Sequence, residues 1–345
     1  MIDVKQNVLL KDYSTMRLGG TARYLVEINS RQELEESVLL AQKNSLPILM
    51  IGGGSNVIWR DEGFAGMVLV NKITGFRAFE EDASNVFITI GAGEKWDSMV
   101  AQTVQMNLTG IESLSLIPGS TGATVVQNVG AYGQEISQTL TNVEVFDLQD
   151  LKFKILSSSN CLLSYRSSIF KSNPKNPYLI SAVTLNLSKS QPDKSKLYPA
   201  VIEYLNQNNI TDLTPATIRQ AVIDIRSSKL PDPNVIANNG SFFTNPTISY
   251  QKFFSLQKSL NQAIPHWKVD TDNVKVAAAW LIEYSGLKDY HDQNTGFATW
   301  KTQPLVVINE SGKSTRDLIA FRDFIIDTVY NKTGVTLIQE PQILP

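Results

Sequence analysis

The sequence is poor in the residues that most often build metal sites and acid–base triads. Its 345 residues include one cysteine, Cys161, and two histidines, His266 and His291. A single cysteine excludes an intrachain disulfide framework, and with so few histidines a Cys/His zinc site is a poor explanation of the function. A histidine-based triad is poorly supplied for the same reason. We therefore expect an activity without a metal site.

Long runs of one charge and long apolar runs are also missing. The 31 Lys and Arg residues are matched by 33 Asp and Glu residues, so no basic footprint indicates binding to nucleic acid or to an anionic membrane. The longest apolar run, Val276–Ile282, has seven residues, and the N-terminal stretch lacks the apolar core of a secretory signal. The sequence predicts a soluble, cytoplasmic, monomeric protein that acts on small molecules.

The glycines are unevenly distributed along the chain. Fifteen of the 20 glycines precede residue 134, and none lies between residues 134 and 239. Hydrophobic periodicity predicts strands and helices that do not alternate strictly, which favours an α+β fold over a doubly wound sheet. The predicted helices cover residues 31–44, 94–106, 198–207, 215–228, 249–262, 274–285 and 314–331. The predicted strands cover residues 24–28, 47–51, 67–70, 76–80, 86–90, 143–156, 178–187, 305–308 and 335–339.

The length predicts about two domains at roughly 150 residues each. The polar loop at residues 188–196 is the candidate boundary, although it is also short enough to be a surface hairpin. We expect a first lobe of residues 1–195, made of two α+β subdomains, and a C-terminal domain of residues 196–345. The last strand of the chain can return to the first lobe.

Residues 51–56, which we call the first glycine loop, follow a predicted buried strand. Glycines permit positive φ and let backbone N–H groups approach an anion, while neighbouring serine and asparagine side chains add hydrogen bonds. Neither the lysine of a Walker A loop nor the spacing of a Rossmann fingerprint is present, and a tight structural turn explains the stretch equally well. The candidate cofactor contacts are Gly52, Gly53, Gly54, Ser55 and Asn56.

Residues 118–133, which we call the second glycine loop, form a longer stretch of the same kind. Its small residues allow a pyrophosphate to lie on the backbone, and a helix that begins at Thr121 would direct its N-terminus at that anion. Two anion-binding loops suit a dinucleotide better than a mononucleotide. The candidate contacts are Pro118, Gly119, Ser120, Thr121, Gly122, Ala123, Gln127, Asn128, Gly130, Tyr132 and Gly133.

Seven motifs together carry a family resemblance. In chain order they are TMRLGG (15–20), PILMIGGGSN (47–56), GAGEKW (91–96), PGSTGATVVQNVGAYG (118–133), YRSSIFK (165–171), SKLPDP (228–233) and GSFFTNP (240–246). Over residues 13–343 the chain resembles the longer form of the UDP-N-acetylenolpyruvoylglucosamine reductases, flavoenzymes of cytoplasmic peptidoglycan precursor synthesis. The resemblance implies a vanillyl-alcohol-oxidase/p-cresol-methylhydroxylase-type FAD lobe and a C-terminal substrate domain. It also implies non-covalent FAD, NADPH as co-substrate and UDP-N-acetylglucosamine enolpyruvate as substrate.

The residue patterns alone leave three polar side chains open to more than one interpretation. Arg166 can form an ordinary salt bridge or hold a carboxylate through two hydrogen bonds. Ser241, beside Gly240, can be a turn residue or a hydroxyl in a dry pocket, and Glu340 can be a solvated carboxylate at a strand end. The resemblance implies that Arg166 contacts the substrate carboxylate, that Ser241 is the proton donor, and that Glu340 assists.

The resemblance also implies binding residues outside the glycine loops. Arg226 can reach the FAD pyrophosphate, although a solvated helix face explains it as well. Trp267 stands where the family has tyrosine, so ring stacking is kept and a phenolic hydrogen bond is lost. The implied substrate contacts are Tyr198, Lys229, Asn245, Trp267, Lys275, Lys288 and Gln303.

Two other functions remain open at this point. Another oxidase or dehydrogenase of the same flavin fold would not need the motifs at residues 228–233 and 240–246 together. A catalytically silent flavin-binding module would keep both glycine loops but could lose the three implied catalytic side chains. Both histidines lie outside the glycine-rich lobe, so we expect no histidyl-flavin bond and release of FAD on acid precipitation.

Overall fold

The computed structural model describes residues 2–173 and 176–345, which form two compact units. The first unit contains the residues up to Val8, Ala22–Gly54 and Phe64–Ser228. The second unit contains Leu9–Thr21, Ser55–Gly63 and Lys229–Pro345. Both units are therefore assembled from separate stretches of the chain.

Strands and helices are distributed through both units. The strands are β1 (Lys5–Leu9), β2 (Thr21–Ile28), β3 (Ile48–Ile51), β4 (Val57–Trp59), β5 (Phe64–Asn71), β6 (Phe76–Glu81), β7 (Asn85–Gly91), β8 (Gly130–Ala131), β9 (Gln134–Glu135), β10 (Leu140–Asp147), β11 (Lys152–Ser157), β12 (Tyr178–Ser188), β13 (Ala237–Ser241), β14 (Phe243–Thr244), β15 (Thr247–Ser249), β16 (His266–Lys268), β17 (Asn273–Val276), β18 (His291–Asp292), β19 (Phe297–Thr299), β20 (Val306–Asn309), β21 (Ile338–Gln339) and β22 (Gln342–Leu344). The α-helices are α1 (Arg31–Lys43), α2 (Trp96–Gln105), α3 (Thr121–Val126), α4 (Ile169–Ser172), α5 (Pro199–Gln207), α6 (Pro215–Lys229), α7 (Tyr250–Leu260), α8 (Ala278–Tyr284) and α9 (Thr315–Thr333). This mixture confirms the predicted α+β class.

Besides the two-stranded pair β8-β9, the described part of the first unit contains two larger sheets, each with its own apolar core. One has the strand order β1-β2-β5-β3, and β5 is parallel to both β2 and β3. Leu34, Val38 and Ala41 on α1 are buried in the core of this sheet, as their spacing along the helix predicts. The second sheet is antiparallel, in the order β11-β10-β12-β7-β6, and α2 buries Trp96 in its core.

Helices α5 and α6 belong to the first unit, whereas the sequence places the domain boundary at residues 195 and 196. Val201 on α5 and Val222 on α6 share an apolar cluster, against which Tyr132 of the second glycine loop packs. The structure therefore changes from one unit to the other near residue 228. The polar loop before α5 gave no sign of this, because a solvated connection looks the same inside a domain as between domains.

The second unit surrounds a large apolar core with short strands. Helices α7, α8 and α9 contribute Phe253, Leu281 and Phe321 to this core. The sheets are β13-β20-β19-β18, β15-β17-β16 and the pairs β14-β21 and β22-β4. The last strand, β22, thus runs parallel to β4, a strand from the N-terminal part of the sequence.

Two predicted elements differ from the structure. The helix predicted from residue 274 begins at Ala278, because Asn273–Val276 pairs as a strand with β15 and β16. Of the strand predicted over residues 335–339, only Ile338–Gln339 pairs with a neighbour. In both places pairing with a distant strand decides a conformation that local pattern leaves ambiguous.

Across residues 2–173 and 176–345, no helix combines the length and apolar character needed to cross a membrane.

Candidate active site

The glycines of the first glycine loop lie against the second glycine loop in the first unit. A Cβ atom on Gly53 would lie 3.1 Å from the Cα atom of Gly119, and one on Gly52 would lie 2.0 Å from Oγ of Ser120. Gly54 adopts a φ of 70°. Gly52 and Gly53 are therefore needed because two loops that are distant in sequence approach closely there. Gly54 is needed for a second reason, the positive φ of the local turn.

Two N–H groups in the first turn of α3 already donate hydrogen bonds to backbone carbonyls of the protein. The Thr121 N–H donates to the Glu94 carbonyl at 2.9 Å, and the Gly122 N–H donates to the Ala92 carbonyl at 2.9 Å. A Cβ atom on Gly122 would also lie 2.8 Å from Cβ of Ala92. The helix begins at Thr121 as predicted, but these two N–H groups hold it to the segment before α2. The neighbouring positions left as candidate anion contacts are Gly119, Ser120 and Ala123.

A buried asparagine fixes the turn that carries Arg166. Asn128 is 1% exposed, and its Nδ2 donates to Oε2 of Glu135 at 2.9 Å and to the Ser164 carbonyl at 3.1 Å. Its Oδ1 accepts from the Ser137 N–H at 3.0 Å. Both amide hydrogens of Asn128 are thus donated within the protein. Its backbone has a φ of 44°, and its N–H donates to the Val125 carbonyl at 3.2 Å, so no donor of Asn128 is left for the predicted cofactor contact.

Arg166 occupies the middle of a tight turn closed by two backbone hydrogen bonds between Ser164 and Ser167. Its φ of 55° is left-handed, a conformation that costs a non-glycine residue about 1–3 kcal/mol and that clusters at functional sites. Its Nη2 donates to the Gly130 carbonyl at 2.8 Å. A Cβ atom on Gly130 would lie 2.8 Å from Cγ of Glu135 and 3.4 Å from Nη1 of Arg166, so the close approach of Glu135 requires glycine here and the guanidinium lies at ordinary contact distance from the second glycine loop.

Arg226 is half-buried, and the Nε atom of its guanidinium is removed from water. Burial lowers the pKa of Arg226, and the nearby Tyr132 and Asp97 oppose this shift. Its Nε atom is buried and has no hydrogen-bond partner among the described residues. A buried cation with an unused donor favours an anionic ligand, so the solvated helix face considered for Arg226 does not describe its environment.

Two tyrosines of the predicted site meet close to Arg226. The rings of Tyr132 and Tyr198 pack edge to face, with centroids 5.8 Å apart and planes at 88°. Burial raises the pKa of Tyr132, and the charge of Arg226 opposes that shift. The structure therefore brings one predicted cofactor residue and one predicted substrate residue into contact. Gly133, which follows Tyr132 in the chain, has a φ of 85°. Gln127 is the C-cap residue of α3.

The sequence-based predictions missed an ion pair that ties α6 to the segment before the second glycine loop. Arg219 donates from Nη1 to Oδ1 of Asp97 at 2.6 Å and from Nη2 to Oδ2 at 2.9 Å, and Nη1 also reaches Ser115 Oγ at 2.8 Å. Burial raises the pKa of Asp97, but hydrogen bonds from Arg219 and the Leu116 N–H outweigh it, so the net shift is downward. The available signal was that Arg219 lies two helical turns before Arg226 on one face.

The second unit places Ser241 and Glu340 on neighbouring backbone segments. Ser241 ends β13, and β14, which starts two residues later, pairs with β21. The Glu340 N–H then donates to the Phe242 carbonyl at 2.9 Å. Glu340 is 9% exposed and Phe242 is 1% exposed. The carboxylate is therefore buried, rather than solvated at a strand end, and lies next to the segment that carries the hydroxyl.

The last two residues of the first glycine loop belong to the second unit. The Ser55 carbonyl accepts a hydrogen bond from Asn239 Nδ2 at 3.0 Å. The Asn56 carbonyl accepts one from the Gln342 N–H at 3.0 Å, where β22 pairs with β4. Within the second unit, these contacts connect the loop to β13, which ends at Ser241, and to β22, which begins two residues after Glu340.

Two predicted substrate residues are brought together on a small sheet. Trp267 on β16 and Lys275 on β17 are register partners in an antiparallel pair. Trp267 is 38% exposed and Lys275 is half-buried, so an aromatic ring and a cationic side chain lie on directly opposed residues. Asn245 is committed to the backbone in part, because its Oδ1 accepts from the Ala278 N–H at 3.0 Å.

Other predicted substrate residues lie in different settings. Lys229 is exposed, and its carbonyl accepts from Thr302 Oγ1 at 2.7 Å, which fixes its backbone beside Gln303. Oε1 of Gln303 is buried and lacks a hydrogen-bond partner within the part of the chain that the structure describes. Lys288, in contrast, is exposed and pairs with Glu283 at 2.7 Å. The structure thus offers more support for Gln303 than for Lys288.

The residues of the first unit fit the cofactor that the sequence implies. The glycines bring the backbones of the two loops close together, and the buried Nε of Arg226 supplies a donor that no described residue uses. A pyrophosphate suits such a combination of backbone N–H groups and a guanidinium. FAD would therefore be held by the glycines of the loops and by Arg226.

Comparisons with known proteins agree with this geometry. Residues 22–150 match a family model described as an FAD binding domain, and residues 232–344 match the C-terminal domain of UDP-N-acetylenolpyruvoylglucosamine reductase. The UDP-N-acetylenolpyruvoylglucosamine reductase of Thermobifida fusca is 36% identical over 351 residues, which cover 98% of this chain and 97% of that protein. The reductase of Cupriavidus pinatubonensis is 36% identical over 345 residues, with 100% of both chains covered.

A solved structure shares the fold along the whole chain. The crystal structure of the UDP-N-acetylenolpyruvylglucosamine reductase from Thermus caldophilus superposes with a TM-score of 0.67 and 22% identity, and the match covers 100% of both chains. The sequence relatives and the two family models extend this likeness beyond the fold. The chain therefore belongs to the UDP-N-acetylenolpyruvoylglucosamine reductase family.

Proposed function

We propose that this protein reduces UDP-N-acetylglucosamine enolpyruvate to UDP-N-acetylmuramate, with NADPH as reductant and non-covalent FAD as cofactor. The observation that carries the proposal is the meeting of the Ser241 and Glu340 segments in the second unit, which places a hydroxyl and a buried carboxylate on adjoining backbone. A silent flavin-binding module would have no use for this arrangement. The match of residues 232–344 to the reductase C-terminal domain supports it over another flavin oxidase.

The chemistry assigns a separate task to each polar side chain. FAD, held by the glycine loops and Arg226, would supply hydride transfer from NADPH to C3 of the enolpyruvyl double bond. Hydride addition at C3 leaves negative charge at C2 that spreads into the substrate carboxylate. Arg166 binds and stabilises that carboxylate, with assistance from Glu340, because a guanidinium pairs with a carboxylate through two hydrogen bonds. The Ser241 hydroxyl donates the proton that C2 receives.

Arg166 is well suited to this role by its backbone. The turn that carries it is held by Asn128 and by its own hydrogen bond to Gly130, so little conformational freedom is lost when a carboxylate binds. Lys229 and Gln303, with Tyr198, Asn245, Trp267 and Lys275, are proposed to hold the substrate diphosphate and sugar. As the resemblance implies, we expect a monomer that acts in the cytoplasm.

The test uses the purified full-length protein. We expect a flavin absorption spectrum, release of the yellow chromophore into the supernatant on acid precipitation, and NADPH oxidation that depends on added UDP-N-acetylglucosamine enolpyruvate. Protein that is colourless and cannot be reconstituted with FAD would contradict the proposal. Flavin that stays in the acid pellet would contradict non-covalent binding, and NADPH oxidation that ignores the enolpyruvyl substrate would contradict the reaction.

A further inference from the structure

Asn239, which no motif singled out, lies in an irregular part of β13 just before Ser241. In the pairing of β13 with β20, Asn238 faces Ile308 and Ser241 faces Val306. Asn239 and Gly240 therefore share a single residue of the partner strand, which defines a β-bulge. Bulges re-aim the side chains that follow them, and here the next side chain is the predicted proton donor.

The side-chain amide of Asn239 is fixed in one orientation. Its Nδ2 donates to the Ser55 carbonyl at 3.0 Å and to Thr15 Oγ1 at 3.1 Å. Because a carbonyl can only accept, the nitrogen must face Ser55 and the oxygen must face away from it. The amide thus joins the bulge to the first glycine loop within the second unit.

The oxygen of the same amide is left without a partner. Asn239 is 7% exposed, and its Oδ1 atom is buried with no hydrogen bond to any described residue. A buried acceptor without a hydrogen bond costs about 1–3 kcal/mol. An acceptor held in this way is explained when a ligand supplies the missing donor.

The neighbouring glycine provides a second, independent observation. Gly240 has a φ of 69°, and its N–H is held by Asn238 Oδ1 at 2.8 Å. A Cβ atom built on Gly240 would meet nothing within 4 Å, in contrast to Gly20 and Gly63 of the same unit, where backbone atoms lie at 2.2 Å. The bulge therefore leaves open space at Gly240, the residue between Asn239 and Ser241 in the chain.

We propose that Asn239 is a flavin-binding residue, whose Oδ1 accepts a hydrogen bond from an N–H or O–H group of bound FAD while its Nδ2 holds the Ser55 carbonyl. The flavin is favoured over the sugar nucleotide because the same amide is anchored to the first glycine loop, the predicted cofactor loop. This inference rests on the proposed function insofar as the ligand is FAD. By holding the bulge, Asn239 also positions Ser241.

The test measures FAD binding to the full-length, FAD-depleted protein by quenching of flavin fluorescence, with neither NADPH nor the enolpyruvyl substrate present. For Asn239→Ala we expect the dissociation constant for FAD to rise about five- to tenfold, the loss of one hydrogen bond. The matched control is Thr15→Val, which removes one acceptor from Nδ2 and leaves Oδ1 in place. Its dissociation constant should stay within about twofold of the wild-type value.

A second readout separates a ligand contact from a purely structural role. Because Oδ1 has no partner in the FAD-free protein, Asn239→Ala should reduce the rise in Tm on saturation with FAD, relative to wild type. A loss of Tm that is equal with and without FAD would assign Asn239 a structural role and overturn the proposal. If Asn239→Ala does not fold, Asn239→Ser, which is too short to span both contacts, gives the same comparison.

Two further outcomes have distinct meanings. An unchanged dissociation constant for FAD combined with a raised KM for the sugar nucleotide would overturn the assignment to flavin, because the donor would then come from the substrate. Wild-type protein that binds no FAD would instead refute the proposed function itself. The inference about Asn239 fails, and the proposed function stands, when the wild-type protein binds FAD and reduces substrate while Asn239→Ala binds FAD equally well.

Discussion

The two units hold their candidate site residues by different means. In the first unit, glycines allow loops to touch, and three predicted site residues with side chains, Asn128, Tyr132 and Arg166, adopt positive φ. In the second unit, no non-glycine residue of the predicted site has positive φ, and the polar side chains are placed by strand pairing around one bulge. The first unit relies on unusual backbone, and the second on long-range pairing.

This difference matches the tasks that we propose for the two sets of residues. An anion such as a pyrophosphate is bound by closely approaching backbone, which requires glycine and tight turns. Proton donation requires one hydroxyl at one place, which a paired strand positions without strain. Substitutions in the glycine loops of the first unit should therefore change flavin binding, whereas substitution of Ser241 in the second unit should change the chemical step. Two substitutions test this division, and two more test an ion pair in each unit.

The largest effect is expected from Ser241→Ala. The rate at which the reduced enzyme converts enolpyruvyl substrate in a single turnover should fall by about 10²–10⁴-fold, because proton donation at C2 is lost. Reduction of the flavin by NADPH should stay close to the wild-type rate. The matched control is Thr244→Val on β14. It removes a hydroxyl that donates to the Ile338 carbonyl at 3.4 Å. Near wild-type turnover in Ser241→Ala would refute the role of the serine.

A smaller but still large effect is expected from Gly52→Val in the first unit. A Cβ atom at this position would lie 2.0 Å from Ser120 Oγ and 3.1 Å from Ser120 Cβ, so the hydroxyl must rotate away and the two further methyl groups of valine should press the glycine loops apart. Overpacking of this kind costs about 1–3 kcal/mol, and we expect FAD affinity to fall by roughly 10- to 100-fold in a fluorescence titration. Gly75→Ala is the control, because a Cβ atom there has no neighbour within 4 Å although φ is 142°. Equal losses of affinity in both variants would break the comparison.

An intermediate effect on stability is expected from Arg219→Met. The substitution leaves Asp97 without its bidentate partner and should lower the free energy of unfolding by about 1–3 kcal/mol, measured by urea denaturation. Lys288→Met in the second unit is the comparison. Lys288 pairs at 2.7 Å with Glu283, and the two side chains are 44% and 52% exposed, so this pair should contribute no more than about 1 kcal/mol.

The pH dependence of the Arg219→Met effect has a defined sign. The folded protein holds the pKa of Asp97 below its ordinary value of 3.8. The contribution of the pair is therefore fully present above that value and is lost as pH falls through the lowered pKa. The difference in stability between wild type and Arg219→Met should be equal at pH 8 and pH 5 and should shrink only in more acidic solution. A decrease between pH 8 and pH 5 would contradict this account.

The smallest effect concerns His291 in the second unit. The pKa of His291 is raised above 6.5, mainly by the hydrogen bond to Glu310. Burial opposes this shift more weakly, and the negative charges of Glu310 and Asp289 add to it. Protonated His291 therefore adds stability below pH 6.5, and this is lost as pH rises through the raised pKa. Titration of the imidazole by NMR should show the raised value, and Glu310→Gln should lower it. A titration unchanged by Glu310→Gln would refute the contact.

The helices could be predicted well because their information is local. The apolar spacing of Ile218, Val222 and Ile225 and the proline at position 215 locate α6 without reference to the rest of the chain. The short strands of the second unit could not be predicted in this way. Asn273–Val276 has a helix-compatible pattern, and its pairing with two distant strands decides its conformation.

The sequence alone determined the glycine loops, the α+β class and the order of motifs that identifies the family. These features depend on residue type at fixed spacing, and φ preferences of glycine act over only a few residues. The tertiary structure decided which of those residues meet. It showed that Gly53 lies against Gly119 and that two N–H groups in the first turn of α3 donate to backbone carbonyls before α2. It also showed that Glu340 is buried beside the Ser241 segment. It also revealed Asn239, whose unpartnered oxygen depends on contacts to Thr15 and Ser55. Such contacts join residues far apart in the chain, and packing and strand pairing alone bring them together.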